Sequence, residues 1–214
     1  MVEGARPMPT RPLSFYAVVL AGGRSTRMRS DKRFLVFDGE MLVDRAMALA
    51  TQALGSDPAR VLLCGEVPDR PGIPDERAGM GPLGGVHTAL AKLQGGAETA
   101  DQWLVVLPVD MPLLSASPLI ALMARASECA RRGIRAVGFT ESEFPFAFLG
   151  GQRTLAILEE ILKKEPSSAR SVRAFCEGLE VVRYPAHPEG RRVEEFLNAN
   201  TPEEWSRATE RGTR

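Results

Sequence analysis

A chain of 214 residues, 44% of them hydrophobic, is long enough for one domain with a full-sized core and too apolar to be disordered. Its 27 basic and 27 acidic residues cancel, which excludes an overall electrostatic pull toward nucleic acid or an anionic membrane and leaves any anion binding to local charge. Cys64, Cys129 and Cys176 are odd in number and far apart, and His87 and His187 are the only histidines, so neither a disulfide framework nor a zinc site is supported.

Residues 1–14 have no periodicity and read as a loose tail, proline-rich and arginine-containing, without a signal-peptide core. No apolar run approaches the roughly 18 residues of a membrane helix, and the expected location is the cytoplasm. Tyr16 to Ala21 is a short, valine-rich apolar run, the pattern of a strand buried on both faces. It stops at Gly22-Gly23. The following residues carry Arg24, Arg27, Arg29, Lys32 and Arg33, interspersed with Ser25, Thr26, Ser30 and Asp31. Glycines let backbone N–H groups approach an anion and the cations neutralise it, so this loop outlines a phosphate site for a nucleoside triphosphate. A glycine pair after a strand is also an ordinary turn, and a basic run is also ordinary solvated surface.

Asp38-Gly39 supplies a turn, and apolar positions Leu42, Val43, Ala46, Met47, Leu49, Ala50 and Leu54 predict a one-faced helix over Met41 to Leu54. Val61 to Cys64 is a second buried strand, ending at Gly65, so strand, helix and strand form a parallel βαβ unit. A loop of proline, glycine and charge follows and contains Asp75. Gly81-Pro82-Leu83-Gly84-Gly85 then opens a helix predicted from Val86 to about Gln94. Glycines at a helix start bring N–H donors and a positive dipole end toward a ligand; the alternative is a tight turn packed on the sheet.

Trp103 to Val109 reads as a third buried strand and ends at Asp110. A carboxylate there lies on the edge where open α/β sheets bind ligands, and Mg²⁺ commonly bridges such a carboxylate to substrate phosphates. Asp110 could instead cap the next helix, predicted over Pro118 to Ala130; Ser115 and Ser117 lie nearer to its start, which favours the metal role. Ala136 to Phe139 and Phe144 to Gly150 read as strands, Arg153 to Lys164 and Ala169 to Glu177 as helices, and Leu179 to Tyr184 as extended. Arg170 and Arg173 would lie one turn apart, able to meet an acceptor phosphate or to be solvated. Thr201 can cap a terminal helix with Pro202 at its first position, while Asn198 and Asn200 are read as polar groups returned to the active-site edge. No repeat or boundary splits residues 15–214, and the alternation predicts a single three-layer α/β/α, Rossmann-like domain with a mostly parallel mixed sheet.

Four strings carry a family resemblance, in order, between about Tyr16 and Trp205. Leu20-Ala21-Gly22-Gly23, three residues, Arg27-Met28, two residues and Asp31-Lys32 resemble the signature loop of the molybdenum cofactor guanylyltransferases, MobA-like nucleotidyltransferases; it is neither a Walker loop nor a dinucleotide fingerprint. Gly81-Pro82-Leu83, Pro108-Val109-Asp110-Met111-Pro112 and Asn198-Ala199-Asn200-Thr201-Pro202-Glu203 resemble the others. Arg29 replaces the family's usual glycine, Cys64 stands where an asparagine near the base is common, and Phe144-Pro145 replaces a common His-Pro. The resemblance implies transfer of GMP from GTP to the phosphate of molybdopterin-bound molybdenum, with release of pyrophosphate. It implies Arg27 and Lys32 on the triphosphate, Asp75 on ribose or base, Mg²⁺ on Asp110, and molybdoenzyme apoproteins or their chaperones as further partners. The rival readings are a cytidylyl- or sugar-phosphate nucleotidyltransferase and a non-catalytic carrier of the pterin cofactor.

Overall fold

The computed structural model describes residues 13–22, 34–77, 79–94, 102–186 and 193–212. Its centre is β1 (Ser14–Leu20), flanked in parallel by β4 (Val61–Cys64) and β5 (Gln102–Pro108). The sheet order is β4-β1-β5-β7-β6-β8, with β6 (Ala136–Phe139) and β8 (Val182–Tyr184) running as β5 does and β7 (Phe146–Leu149) running against them. The sheet is therefore mixed and mostly parallel, as the sequence predicts.

The apolar runs are continuous because both faces of the sheet are covered. Ala17, Val19, Leu63, Trp103, Val105 and Leu107 face α1 (Leu42–Ala53) and α3 (Ala116–Ala130). Their neighbours Val18, Leu20, Leu62, Cys64, Leu104 and Val106 face α2 (Pro82–Gln94), α4 (Gln152–Leu162) and α5 (Val172–Gly178). The period-two alternation of each strand thus divides one core into two. A short hairpin of β2 (Val36–Phe37) and β3 (Glu40–Met41) turns at Asp38 and Gly39, whose φ values of 52° and 79° match the type I′ geometry suited to a two-residue connection. Phe37 packs edge-on against Trp205 of α6 (Pro202–Gly212), with ring centroids 6.1 Å apart. No helix among the described residues is long and apolar enough to cross a membrane.

Two helix starts differ from the sequence reading by three residues or more. α2 begins at Pro82, so Gly84 and Gly85 belong to its first turn rather than to a preceding loop. The cause is packing: a Cβ on Gly85 would stand 2.8 Å from Leu20 Cδ2 and 3.2 Å from Cys64 Cβ. Glycine there lets the helix lie directly on β1 and β4. The helix expected over Ala169 to Glu177 is instead a 3₁₀ turn, Ser167–Ala169, followed by α5. Ser171 caps α5, its hydroxyl accepting the Ala174 N–H at 3.1 Å. Arg170 and Arg173 therefore do not share one helical face. Arg173 is exposed and pairs with Glu177 at 3.1 Å, whereas the Arg170 guanidinium lies 3.2 Å from Met80 Sδ, beside the turn that enters α2.

Candidate functional site

Three strand ends converge at the C-terminal edge of the sheet. The pairing continues one residue past β1 and β5: the Ala21 N–H donates to the Cys64 carbonyl at 2.8 Å and the Val109 N–H to the Leu20 carbonyl at 3.2 Å. Gly22 and Asp110 therefore leave the sheet from anchored positions. Gly23, Arg27 and Lys32, the heart of the expected phosphate loop, lie outside the described residues.

The loop after β4 is tied back to the strand that it leaves. Gly65 donates to the Ile73 carbonyl at 2.8 Å and Ile73 to the Leu63 carbonyl at 2.7 Å. Gly65 has φ of 116°, and a Cβ on it would stand 2.7 Å from the Gly22 nitrogen, so no other residue fits this crossing. Two residues beyond Ile73 comes Asp75, held from its far side as well: the Glu76 N–H donates to Thr88 Oγ1 at 3.2 Å, and the Thr88 hydroxyl donates to the Gly84 carbonyl at 3.1 Å. Thr88, buried on α2, gives no signal in the sequence. It is a threonine on an apolar helix face, and only the fold brings Glu76 to it.

The Asp75 carboxylate is wedged between the β1 exit and the first turn of α2. Its Oδ2 lies 2.9 Å from where a Gly22 Cβ would be and 4.0 Å from that of Gly84; its Oδ1 lies 3.7 Å from that of Gly85. Oδ1 is buried without a hydrogen-bond partner among the described residues. Burial first, and the charge of Glu66 second, push the Asp75 pKa up. Such an oxygen is an acceptor packed against the first turn of α2 with its hydrogen-bonding capacity unspent. Gly22 here does more than open space for an anion, since it leaves room for Asp75 itself.

The other residues read as nucleotide-binding fall into two groups. Gly81, with φ of 62°, and Pro82 are exposed at the start of α2. Leu20, Ala21, Cys64 and Leu83 form the floor with buried side chains, so their backbones are what they can offer a ligand. The Cys64 thiol is pushed up to about 12, chiefly by burial and then by Asp75. It is a packing group, not a nucleophile.

The far end of the chain returns to β5. The Ala199 N–H donates to the Asp110 carbonyl at 2.8 Å, which sets Asn198 and Asn200 on either side of that contact. Asn198 Oδ1 is buried without a hydrogen-bond partner among the described residues. The segment is fixed by a reciprocal cap: Glu204 Oε2 accepts the N–H groups of Asn200 at 2.7 Å and Thr201 at 3.0 Å, while Thr201 Oγ1 accepts the Glu204 N–H at 3.2 Å. Farther upstream, Glu195 accepts both the N–H and the hydroxyl of Ser115, the residue before α3. Asp110, five residues earlier, is not the cap of α3.

The donors at this edge fit Mg²⁺. Asp110 offers a carboxylate and Asn198 an amide oxygen lacking a partner, both hard oxygen ligands. No group of three or more His, Cys, Asp or Glu assembles among the described residues. A Mg²⁺ ion shared with substrate phosphates needs only one or two carboxylates, unlike a metal held wholly by protein.

Residues 17–182 match the family described as the MobA-like NTP transferase domain. The molybdenum cofactor guanylyltransferase of Xanthomonas euvesicatoria pv. vesicatoria is 38% identical over 193 residues, covering 89% of this chain and 92% of its own. That of Rhizobium leguminosarum bv. trifolii is 34% identical over 197 residues, covering 89% and 90%. Among solved structures, molybdopterin-guanine dinucleotide biosynthesis protein A from Archaeoglobus fulgidus shares the fold with a TM-score of 0.67 at 21% identity, over 94% of this chain and 99% of that one. A cytidylyltransferase from Leptospira borgpetersenii shares it with a TM-score of 0.60 at 13% identity, over 92% and 84%. The chain belongs to the MobA-like nucleotidyltransferases, in the family of the molybdenum cofactor guanylyltransferases.

Proposed function

We propose that this protein transfers GMP from GTP to the phosphate of molybdopterin-bound molybdenum, forming the guanine dinucleotide cofactor and releasing pyrophosphate. The observation that carries the reading is the Asp75 carboxylate, wedged between Gly22 and the first turn of α2 with Oδ1 lacking a partner. A carboxylate accepts two hydrogen bonds side by side, and the N1–H and 2-amino group of guanine donate two in that pattern; cytosine and adenine do not. The ribose hydroxyls are the other donors that it could meet.

An oxygen of the acceptor phosphate attacks the α-phosphorus of GTP, one new P–O bond forms, and the bond to the bridging oxygen of pyrophosphate breaks with its electron pair. No covalent enzyme intermediate is needed, so the protein contributes alignment and charge neutralisation. Arg27 and Lys32 are assigned to the triphosphate, Asp75 to base or ribose, and Asn198 and Asn200 to the acceptor side of the same edge. Asp110 and Asn198 would hold Mg²⁺, which when bound neutralises phosphate charge. The cytoplasm, where buried free thiols such as Cys64, Cys129 and Cys176 stay reduced, is the setting that goes with this reading, and molybdoenzyme apoproteins or their chaperones are the partners downstream.

The test is pyrophosphate release with each of the four nucleoside triphosphates, with and without molybdopterin-bound molybdenum. Release that needs both GTP and the acceptor is expected. Equal release with CTP would favour the cytidylyl reading, and acceptor binding without release would favour a carrier.

A further inference from the structure

A second site lies at the opposite edge of the sheet, where the chain enters β6 and β8 and leaves β7. There the turn Gly133–Arg135, the first turns of α4 and the turn Gly178–Glu180 enclose a cavity of about 270 Å³. Two arginines line it, Arg135 and Arg153, and among the described residues neither makes an ion pair. Arg135 is half-buried, and both burial and the neighbouring Arg153 charge hold its pKa below the ordinary arginine value. Arg153 is exposed and Arg135 half-buried, so an anion held between them would relieve the repulsion that Arg153 exerts on Arg135. The Glu180 carboxylate also lines the cavity, so the lining keeps a net positive charge and offers one acceptor.

The rest of the wall suits an organic body. Ile134, Ile157 and Leu179 provide apolar surface. The α4 end adds a smaller contribution of the same sign. Its first turn has no acidic residue, its cap position is Gly151, and the Thr154 hydroxyl is spent on the Leu149 carbonyl at 2.7 Å. Among the described residues no side chain caps the backbone N–H groups there.

We propose that this cavity binds a small organic phosphate, its phosphate held by Arg135 and Arg153 and its body resting on Ile134, Ile157 and Leu179. Guanidinium groups match phosphate oxygens in both charge and bidentate geometry, which favours phosphate over a single carboxylate. The volume admits a single ring or a short chain rather than a nucleotide with its polyphosphate, since typical ligand pockets begin at about 300 Å³. This site is separate from the nucleotide edge and does not depend on the function proposed for it.

The experiment is a titration of the isotopically labelled full chain with phenyl phosphate, read by amide chemical shifts. Saturable shifts at Ile134, Arg135, Arg153, Thr154 and Leu179 are expected, with phenol producing none and phenylacetate binding more weakly. The paired substitution Arg135→Gln and Arg153→Gln should lower affinity at these amides by roughly tenfold or more. Shifts confined to Gly22, Asp75 and Asp110 would overturn the proposal, as would affinity unchanged by the paired substitution. Phenylacetate binding as tightly as phenyl phosphate would overturn the assignment to phosphate.

Discussion

Gly22 and Asp75 are 53 positions apart in sequence and fit together only because the first has no side chain: a Cβ on Gly22 would stand 2.9 Å from Asp75 Oδ2. Gly22→Ala must therefore push the carboxylate off its position between β1 and α2. Because Gly22 is exposed and its backbone is not in the left-handed region, the fold should tolerate the change, with a melting shift within about 2 °C. GTP affinity, measured by calorimetry, should fall roughly tenfold. Unchanged affinity would mean that Asp75 is not a nucleotide contact.

The same carboxylate should leave a mark on stability against pH. Its pKa is raised in the folded protein, first by burial and then by Glu66. Between the ordinary carboxylate value and that raised value the folded state holds more protons than the unfolded chain, so stability falls as pH rises through this window. Asp75→Asn removes the titration. The variant should melt higher than the parent at about pH 8, and the gap should close as pH falls below the ordinary carboxylate value of about 4. A gap that is constant with pH would assign the effect to packing rather than to charge.

How much of this was legible in the sequence follows from the range of each interaction. β4 could be bounded to the residue because it is a four-residue apolar run between a turn and Gly65. The Thr201 cap with Pro202 behind it was legible for the same reason, since the whole motif spans four residues. The start of α2 was not, because Gly84 and Gly85 have low helix propensity and only their contact with Leu20 and Cys64 makes glycine the fitting residue there. Asp75 could be picked out as a carboxylate in a loop, but not its wedged position, which depends on Ile73 pairing with β4 and on Thr88 holding Glu76. The cavity lined by Arg135 and Arg153 joins three turns remote in sequence and left no local pattern.

The cap at the start of α6 should have a functional as well as a structural effect. Glu204 holds the N–H of Asn200 as well as that of Thr201, so it fixes the segment that delivers both asparagines. Thr201→Ala removes one capping bond and should cost about 1 kcal/mol of stability. Glu204→Ala should cost a similar amount and also lower turnover by about ten- to a hundredfold, because it frees the Asn200 backbone. Denaturant unfolding beside dinucleotide formation separates the two. Equal turnover in both variants would detach the asparagines from catalysis.

The last prediction concerns Asp110. It follows β5, whose neighbours β1 and β7 fix it on both sides, and its own carbonyl accepts the Ala199 N–H at 2.8 Å. The backbone on which the carboxylate stands is thus held from the sheet and from the returning chain end, with Asn198 Oδ1 buried beside that contact and lacking a partner. Two anionic phosphates must approach each other in the proposed transfer, and a divalent cation held here would offset that repulsion where a neutral side chain would not. Asp110→Asn keeps the size and removes the charge. The residues assigned to base and triphosphate are untouched, so GTP affinity measured without added metal should stay within about threefold of the parent. Dinucleotide formation should fall by about two orders of magnitude or more, and raising Mg²⁺ should recover only part of it. Asn198→Ala should shift the Mg²⁺ dependence to higher concentration with a smaller loss of maximal rate, since it deletes a neutral oxygen and leaves the carboxylate in place. Near-parental turnover in Asp110→Asn at low Mg²⁺ would remove this residue from the metal site and leave Asn198 without its proposed partner.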